Sequence, residues 1–229
     1  MIFIGGGTLL SRAVAHVAGI GATVDAVCCP PGDPCLPKLY KMNVKVIESN
    51  NPNIDLLPIG QSARSTIAFS INNRMILGDA LLDSGPVFFN IHNGLVQHYR
   101  GVAEVCIFAA ICRAEPRYGV TLHQLLPGQK VDTGPVVTQR EFMLKEGDVF
   151  AKVMTQSLAA CQTIFEDNLQ SILAGHWVAE GVEFFGAAYA YKDLPRIFLE
   201  ADAAALQRAR TLGPYAGFFP RLHAAVGAA

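Results

Sequence analysis

Met1-Ile2-Phe3-Ile4-Gly5-Gly6-Gly7-Thr8-Leu9-Leu10-Ser11-Arg12-Ala13-Val14-Ala15-His16-Val17 opens the chain and decides how the rest is read. An apolar run, Met1 to Gly5, breaks at glycines and resumes in a helical pattern, with Thr8 placed to cap it. Strand, glycine turn and helix in that order begin an α/β unit. The alternation continues: Ala22 to Cys29 reads as a second strand closed by a proline-rich loop, Val44 to Ile47 as a third, Ser65 to Ile71 as a fourth. Val87-Phe88-Phe89-Asn90-Ile91-His92 is a buried strand that runs straight into polar residues. Val102 to Arg113 is helical, and Val120 to His123 and Pro135 to Phe142 are strands around a Pro-Gly loop. Asp148 to Ala174 is the longest helical stretch, apolar at Val149, Val153, Ile164, Phe165, Leu169, Ile172 and Leu173, and Gly175 stops it. Strands alternating with helices predict an α/β fold whose mainly parallel sheet is covered on both faces. The tail, broken by Pro195, Pro214 and Pro220, predicts a domain over 1–180 with a C-terminal extension, 181–229, packing on it.

A chain of 229 residues is one to two domains on a prior of ~150 residues each. It can bury roughly 70–75% of its extended-chain surface, enough for a core without staples. With 51% apolar and 16% charged residues it is not a disordered chain. Lys+Arg 18 against Asp+Glu 19 leaves a formal charge of −1, which gives no electrostatic footprint for nucleic acid. The longest apolar stretch, Val102 to Cys112, is interrupted by Glu104 and falls short of the ~20 residues a membrane span needs. No basic region precedes the first apolar run, so no signal peptide is read and a cytoplasmic protein is expected. The six cysteines contain no Cys-x-x-Cys pair and no His-x-x-x-His partner, so no metal is expected. Cys28, Cys29 and Cys35 are expected as reduced, partly buried thiols.

Three constellations could carry chemistry. Gly5-Gly6-Gly7 invites a dinucleotide reading with Asp25 as the acidic residue, but Leu10 stands where the fingerprint needs its third glycine. A tight strand-to-helix turn accounts for these glycines without a ligand. In Phe89 to Gly101, period-two alternation puts Asn90 and His92 on one face, at the carboxyl end of their strand. An amide and an imidazole there can combine donation to an oxyanion with proton transfer; both can equally be satisfied structural groups. Further on, Asp132 before Thr133-Gly134 suits an Asx-type turn and becomes functional beside a histidine, which spacing alone does not bring to it.

Taken in order, Asn90-x-His92 with Tyr99-Arg100-Gly101, then Gly119-Val120-Thr121-x-His123, then Asp132-Thr133-Gly134, resemble the 10-formyltetrahydrofolate-dependent formyltransferases. That family includes the glycinamide ribonucleotide, methionyl-tRNA and sugar-amine enzymes. The resemblance is strong from about Ser70 to Thr138 and weaker toward both ends, where Phe69 to Leu77 and Pro214 to Phe219 also look like family segments. It implies a Rossmann-like fold and N-formyl transfer from 10-formyltetrahydrofolate to the primary amine of a small metabolite, a nucleotide sugar or a carrier-protein-bound amino acid. Asn90, His92 and Asp132 match the family's catalytic trio. Asn90 and His92 are implied to stabilise the oxyanion, Asp132 to orient His92 and help move the amine proton, and His123 to support Asp132 or a water beside it. Folate contacts, largely through main chain, are implied at Asn72, Arg74, Met75, Ile76, Leu77, Leu126 and Val131.

Two departures bear on substrate geometry. Asn93-Gly94-Leu95-Val96-Gln97 replaces the family's usual Ser-Leu-Leu-Pro, and the loop 124–131 is longer than expected. Alternatives to transfer are a formyltetrahydrofolate hydrolase, which shares the trio, and a non-catalytic binding module. The hydrolases carry a small domain before this one, whereas here the first strand starts at Met1. Transfer RNA is not expected as acceptor, because the charge balance and the short tail offer nothing to hold a polyanion.

Overall fold

A computed structural model describes residues 1–62 and 66–228. Its strands are β1 (Ile2–Gly5), β2 (Ala26–Cys29), β3 (Val46–Glu48), β4 (Ile67–Ile71), β5 (Val87–His92), β6 (Arg117–Leu125) and β7 (Val136–Met143). Among the described residues they form one seven-stranded sheet in the order β3-β2-β1-β4-β5-β6-β7, and every pairing from β3 through to β5 is parallel. The helices are α1 (Gly7–Gly19), α2 (Leu36–Tyr40), α3 (Pro52–Asp55), α4 (Leu57–Gly60), α5 (Asp79–Leu82), α6 (Ala103–Cys112), α7 (Phe150–Leu173), α8 (Leu194–Glu200), α9 (Ala203–Arg210) and α10 (Pro220–Ala228). The expected α/β fold with a mostly parallel sheet is the one observed.

Differences from the sequence reading sit at element ends. The second strand starts at Ala26, and Asp25 just before it is tied to the N-terminal ammonium at 2.5 Å. Ser65, read as the first residue of the fourth strand, lies outside the described residues; the strand runs from Ile67. Thr8 does not cap α1. Gly6 occupies the cap position, so α1 starts at Gly7, whose N–H donates to Asp33 Oδ1 at 2.9 Å. All six cysteines are buried and free.

The chain divides into two compact units, each built from separate stretches. The first is Met1–Ile91, Leu122–Thr138 and Gln162–Gly181; the second is His92–Thr121, Gln139–Cys161 and Val182–Ala229. In the first unit, strand alternation sorts the core. Ile2 and Ile4 face one way with Cys28, Ala68, Leu81 and Phe88. Phe3 faces the other way, stacked on Phe69 at 5.8 Å, which stacks on Phe89 at 5.6 Å. Phe165 of α7 closes this row edge-on, 5.1 Å from Phe69. Full burial of each ring contributes roughly 1.5–3 kcal/mol. In the second unit α6, buried along almost all of its length, packs with Phe150, Ile197, Ala209, Leu212 and Leu222, so the tail shares its core with α6.

The chain order runs outward from β1 through β2 to β3, then returns to β4 on the other side of β1. Parallel sheets take their ligands at the carboxyl ends of strands beside such a switch point. Gly5 ends β1 there at φ +138, and a Cβ on it would lie 1.8 Å from the Ile71 carbonyl oxygen, so only glycine lets β1 and β4 end so close together.

Candidate active site

β5 is the central feature. Its register with β4 sets Asn90 opposite Ser70, one residue before the end of the pairing. In the first unit, the Asn90 side chain meets two residues from a different stretch. Its Nδ2 lies 3.0 Å from His123 Nε2 and donates to Asp132 Oδ1 at 3.4 Å. His123 is fully buried on β6, with Nδ1 3.2 Å from the Gln124 carbonyl oxygen. A proton on Nδ1 serves that carbonyl and leaves Nε2 to accept from Asn90. His123 Nε2 is also 3.6 Å from Asp132 Oδ1. One amide thus bridges an imidazole and a carboxylate that spacing alone could not place together.

Asp132 is 9% exposed and sits at φ 52, in the left-handed region. Such a backbone costs on the order of 1–3 kcal/mol and collects at functional sites, although Asp tolerates it better than most residues. The turn that carries it is fixed from both ends. Thr133 donates its N–H and its hydroxyl to the Lys130 carbonyl, at 3.2 and 2.8 Å. Gly134 lies so near β6 that a Cβ would stand 1.7 Å from the Gln124 carbonyl oxygen. Gly134 is therefore a steric requirement of the turn as well as part of a motif.

His92, two residues beyond Asn90 on the same strand, belongs to the second unit and is 5% exposed. Its Nε2 is 2.6 Å from the Tyr99 carbonyl oxygen, an acceptor, so this nitrogen carries a proton. Tyr99 is held in turn: its ring stacks on Tyr189 at 5.7 Å, and its hydroxyl donates to Glu115 Oε1 at 2.6 Å. Burial and that carboxylate push the Tyr99 hydroxyl well above its ordinary pKa, so it stays a donor. Gly94 completes the fit, since a Cβ there would lie 2.7 Å from His92 Nε2 and 2.3 Å from the Tyr99 oxygen.

The unusual stretch 93–97 is a structured turn. Asn93 takes a hydrogen bond from the Ser157 hydroxyl, and Tyr118 donates to its carbonyl at 2.8 Å. Thr121 Oγ1 donates to the Gly94 carbonyl at 2.7 Å and accepts from the Val96 N–H at 3.3 Å. Gln97 and Gln139 pair their amides reciprocally at 2.8 and 2.7 Å. Sequence reading missed these supports because each joins residues distant in sequence with no local signal.

The residues expected to contact folate fall on two segments of the first unit. On 72–77, Asn72 has φ 50 and donates to the Gly6 carbonyl at 3.0 Å, Arg74 is exposed, and Leu77 is buried in the core at 8%. Met75 and Ile76 stand 43% and 72% exposed. On 126–131, Leu126 is half-buried and Val131 is 43% exposed. Leu77 can therefore offer a ligand only its main chain.

No protein-family model matches the chain. Solved structures match it over most of its length. It is similar to an N-formyltransferase from Helicobacter canadensis in complex with folinic acid and dTDP-3-aminofucose, at TM-score 0.69 and 19% identity, covering 84% of this chain and 71% of that one. A 4-N formyltransferase from Francisella tularensis matches at 0.69 and 19%, covering 84% and 76%. Glycinamide ribonucleotide transformylase 1 from Symbiobacterium toebii matches at 0.68 and 18%, covering 80% and 93%. The chain has the fold of these formyltransferases.

Proposed function

We propose that this chain is an N-formyltransferase that moves a formyl group from 10-formyltetrahydrofolate to the primary amine of a small acceptor, with an amino sugar on a nucleotide as the favoured class. The observation that carries the reading is the Asn90–His123–Asp132 cluster at the end of β5, with His92 two residues further along that strand. Folinic acid and dTDP-3-aminofucose in the Helicobacter canadensis structure support the donor and acceptor classes. A carrier-protein-bound amino acid remains a second acceptor class to assay. In this reading residues 1–180 hold the chemistry, 181–229 are an extension, and the protein works in the cytoplasm without metal, membrane or nucleic acid.

The chemistry follows from the residue types. The acceptor nitrogen attacks the formyl carbon on N10, and the carbonyl oxygen gains charge as the tetrahedral intermediate forms. Of the two Asn90 Nδ2 protons, one is held by His123 and the other makes only the long 3.4 Å contact with Asp132, so the second is the one that turns to that charge. The Nε2–H of His92 is held by the Tyr99 carbonyl, so His92 would answer the charge through Nδ1–H in its imidazolium form. As the C–N10 bond breaks, the proton that leaves the amine must reach N10; Asp132 takes it, directly or through water, and passes it on. The products are the N-formyl amine and tetrahydrofolate. Titration calorimetry with 5-formyltetrahydrofolate, a stable donor analogue, tests the donor half: saturable heat is expected, and no binding by the folded protein at millimolar ligand refutes it.

A further inference from the structure

The two segments expected to hold the formyl donor are braced by residues that no motif marks. Asn53, on α3, donates from Nδ2 to the Ile76 carbonyl at 2.9 Å and accepts on Oδ1 from the Gly78 N–H at 2.7 Å. One side chain thereby holds the backbone on both sides of Leu77, as a neighbouring strand would. Asn73 treats Met75 in the same way, accepting from its N–H at 3.0 Å and donating to its carbonyl at 2.8 Å. Asp79, at the start of α5, then reaches the other segment: its Oδ1 accepts from the Gly128 N–H at 2.9 Å, in a turn where Gly128 has φ +73. Segments 72–78 and 126–131 are thus linked to each other through Asp79.

Both segments also expose aliphatic side chains, Met75 and Ile76 on one and Val131 on the other. Exposed apolar groups on two braced loops suit a flat heteroaromatic ligand that covers them. We propose that Asn53 and Asp79 are positioning residues for the formyl donor, which set the spacing of its two binding segments in advance. The inference rests on the formyl-transfer reading above. Its energetic basis is preorganisation: if only a fraction of molecules holds the competent spacing, the apparent Kd rises by the inverse of that fraction. A bond to an exposed carboxylate shifts such a population by roughly 3–10-fold.

The test is titration calorimetry of 5-formyltetrahydrofolate with the wild-type chain, Asp79→Ala, Asp79→Asn and Asn53→Ala, with thermal melts of each. Expected are Kd values raised about 3–10-fold in Asp79→Ala and at least as much in Asn53→Ala. Asp79→Asn keeps an Oδ1 acceptor for Gly128 and is expected within about twofold of wild type. It lacks the charge that Asp79 brings to α5, so its rescue separates bracing from helix stability. Amide exchange on the wild type supplies a reading that needs no variant: Gly78 and Gly128 should exchange more slowly than exposed Gln129. Wild type that fails to bind overturns the donor reading and the proposal together. Wild type that binds, with unchanged Kd in folded Asp79→Ala and Asn53→Ala, overturns the proposal alone. Unprotected Gly78 and Gly128 amides overturn it whether or not the variants fold.

Discussion

Asn90→Ala separates catalysis from stability at the centre of the site. The substitution removes the donor that lies 3.0 Å from His123 Nε2 and 3.4 Å from Asp132 Oδ1. A buried acceptor left without a partner costs about 1–3 kcal/mol. Asn90 is half-buried, so water can replace part of what is lost, and the second contact is long; a net cost of about 1–2 kcal/mol follows. For a chain of this size that lowers Tm by roughly 2–8 °C. Loss of one oxyanion donor, in contrast, lowers turnover ~10²–10³-fold, or about 2.7–4 kcal/mol in the transition state. The assay pairs a thermal melt with formyl transfer at saturating donor. A folded variant that keeps more than about a tenth of the wild-type rate refutes the assigned role. Asn90→Asp adds a second check. It sets a carboxylate beside Asp132, and the pair holds a proton that the unfolded chain releases. The folded state then binds more protons, so stability relative to wild type falls as pH rises above the ordinary carboxylate range.

Three further outcomes follow from the geometry. Gly134→Ala drives a Cβ to within 1.7 Å of the Gln124 oxygen, so the turn must move; a stability loss above about 2 kcal/mol in a denaturant melt and weaker donor binding are expected, and an unchanged melt contradicts the packing. Burial opposes ionisation of Asp148, but Lys152 at 2.6 Å and the Lys145 N–H at 3.0 Å outweigh it and hold its carboxyl below the ordinary carboxylate value. Its contribution is therefore full above the unfolded value and lost as pH falls through the folded one, so Asp148→Asn should narrow its stability deficit in acid, and a deficit unchanged down to pH ~2 refutes the pairing. Burial pushes the thiols of Cys28, Cys112 and Cys161 up to about 12, so all three should resist iodoacetamide at neutral pH in the native chain and react once it is unfolded, as read by peptide mass mapping.

The fold was legible because its signals are local and repeated. Apolar runs ending in glycine or polar residues placed β1, β4 and β5 closely, and the length of α7 announced itself by its period. Differences arise where a distant residue decides the outcome, as when Asp33 takes the Gly7 N–H and α1 begins one residue before Thr8. At the site, strand alternation predicted that Asn90 and His92 share a face. It could not show that Asn90 meets His123 and Asp132, because those contacts depend on how β5, β6 and the turn after β6 lie beside one another. The resemblance grouped Asn90 with His92 and Asp132 and set His123 beside Asp132 as a support. Asn53 and Asp79 lie outside every motif, each in a helix of a single turn. Their bonds go to backbone atoms, which leave no trace in side-chain patterns.

Formyl transfer itself is tested most directly by mass spectrometry. The chain would be incubated with 10-formyltetrahydrofolate and a panel of amines that includes dTDP-linked amino sugars, an aminoacyl carrier protein and charged initiator tRNA. The expected result is one amino sugar gaining the mass of a single formyl group in step with release of tetrahydrofolate, with Asn90→Ala and His92→Ala slowed ~10²-fold or more. Donor consumed with release of formate and no formylated amine, or rates unaffected by either substitution, would contradict it.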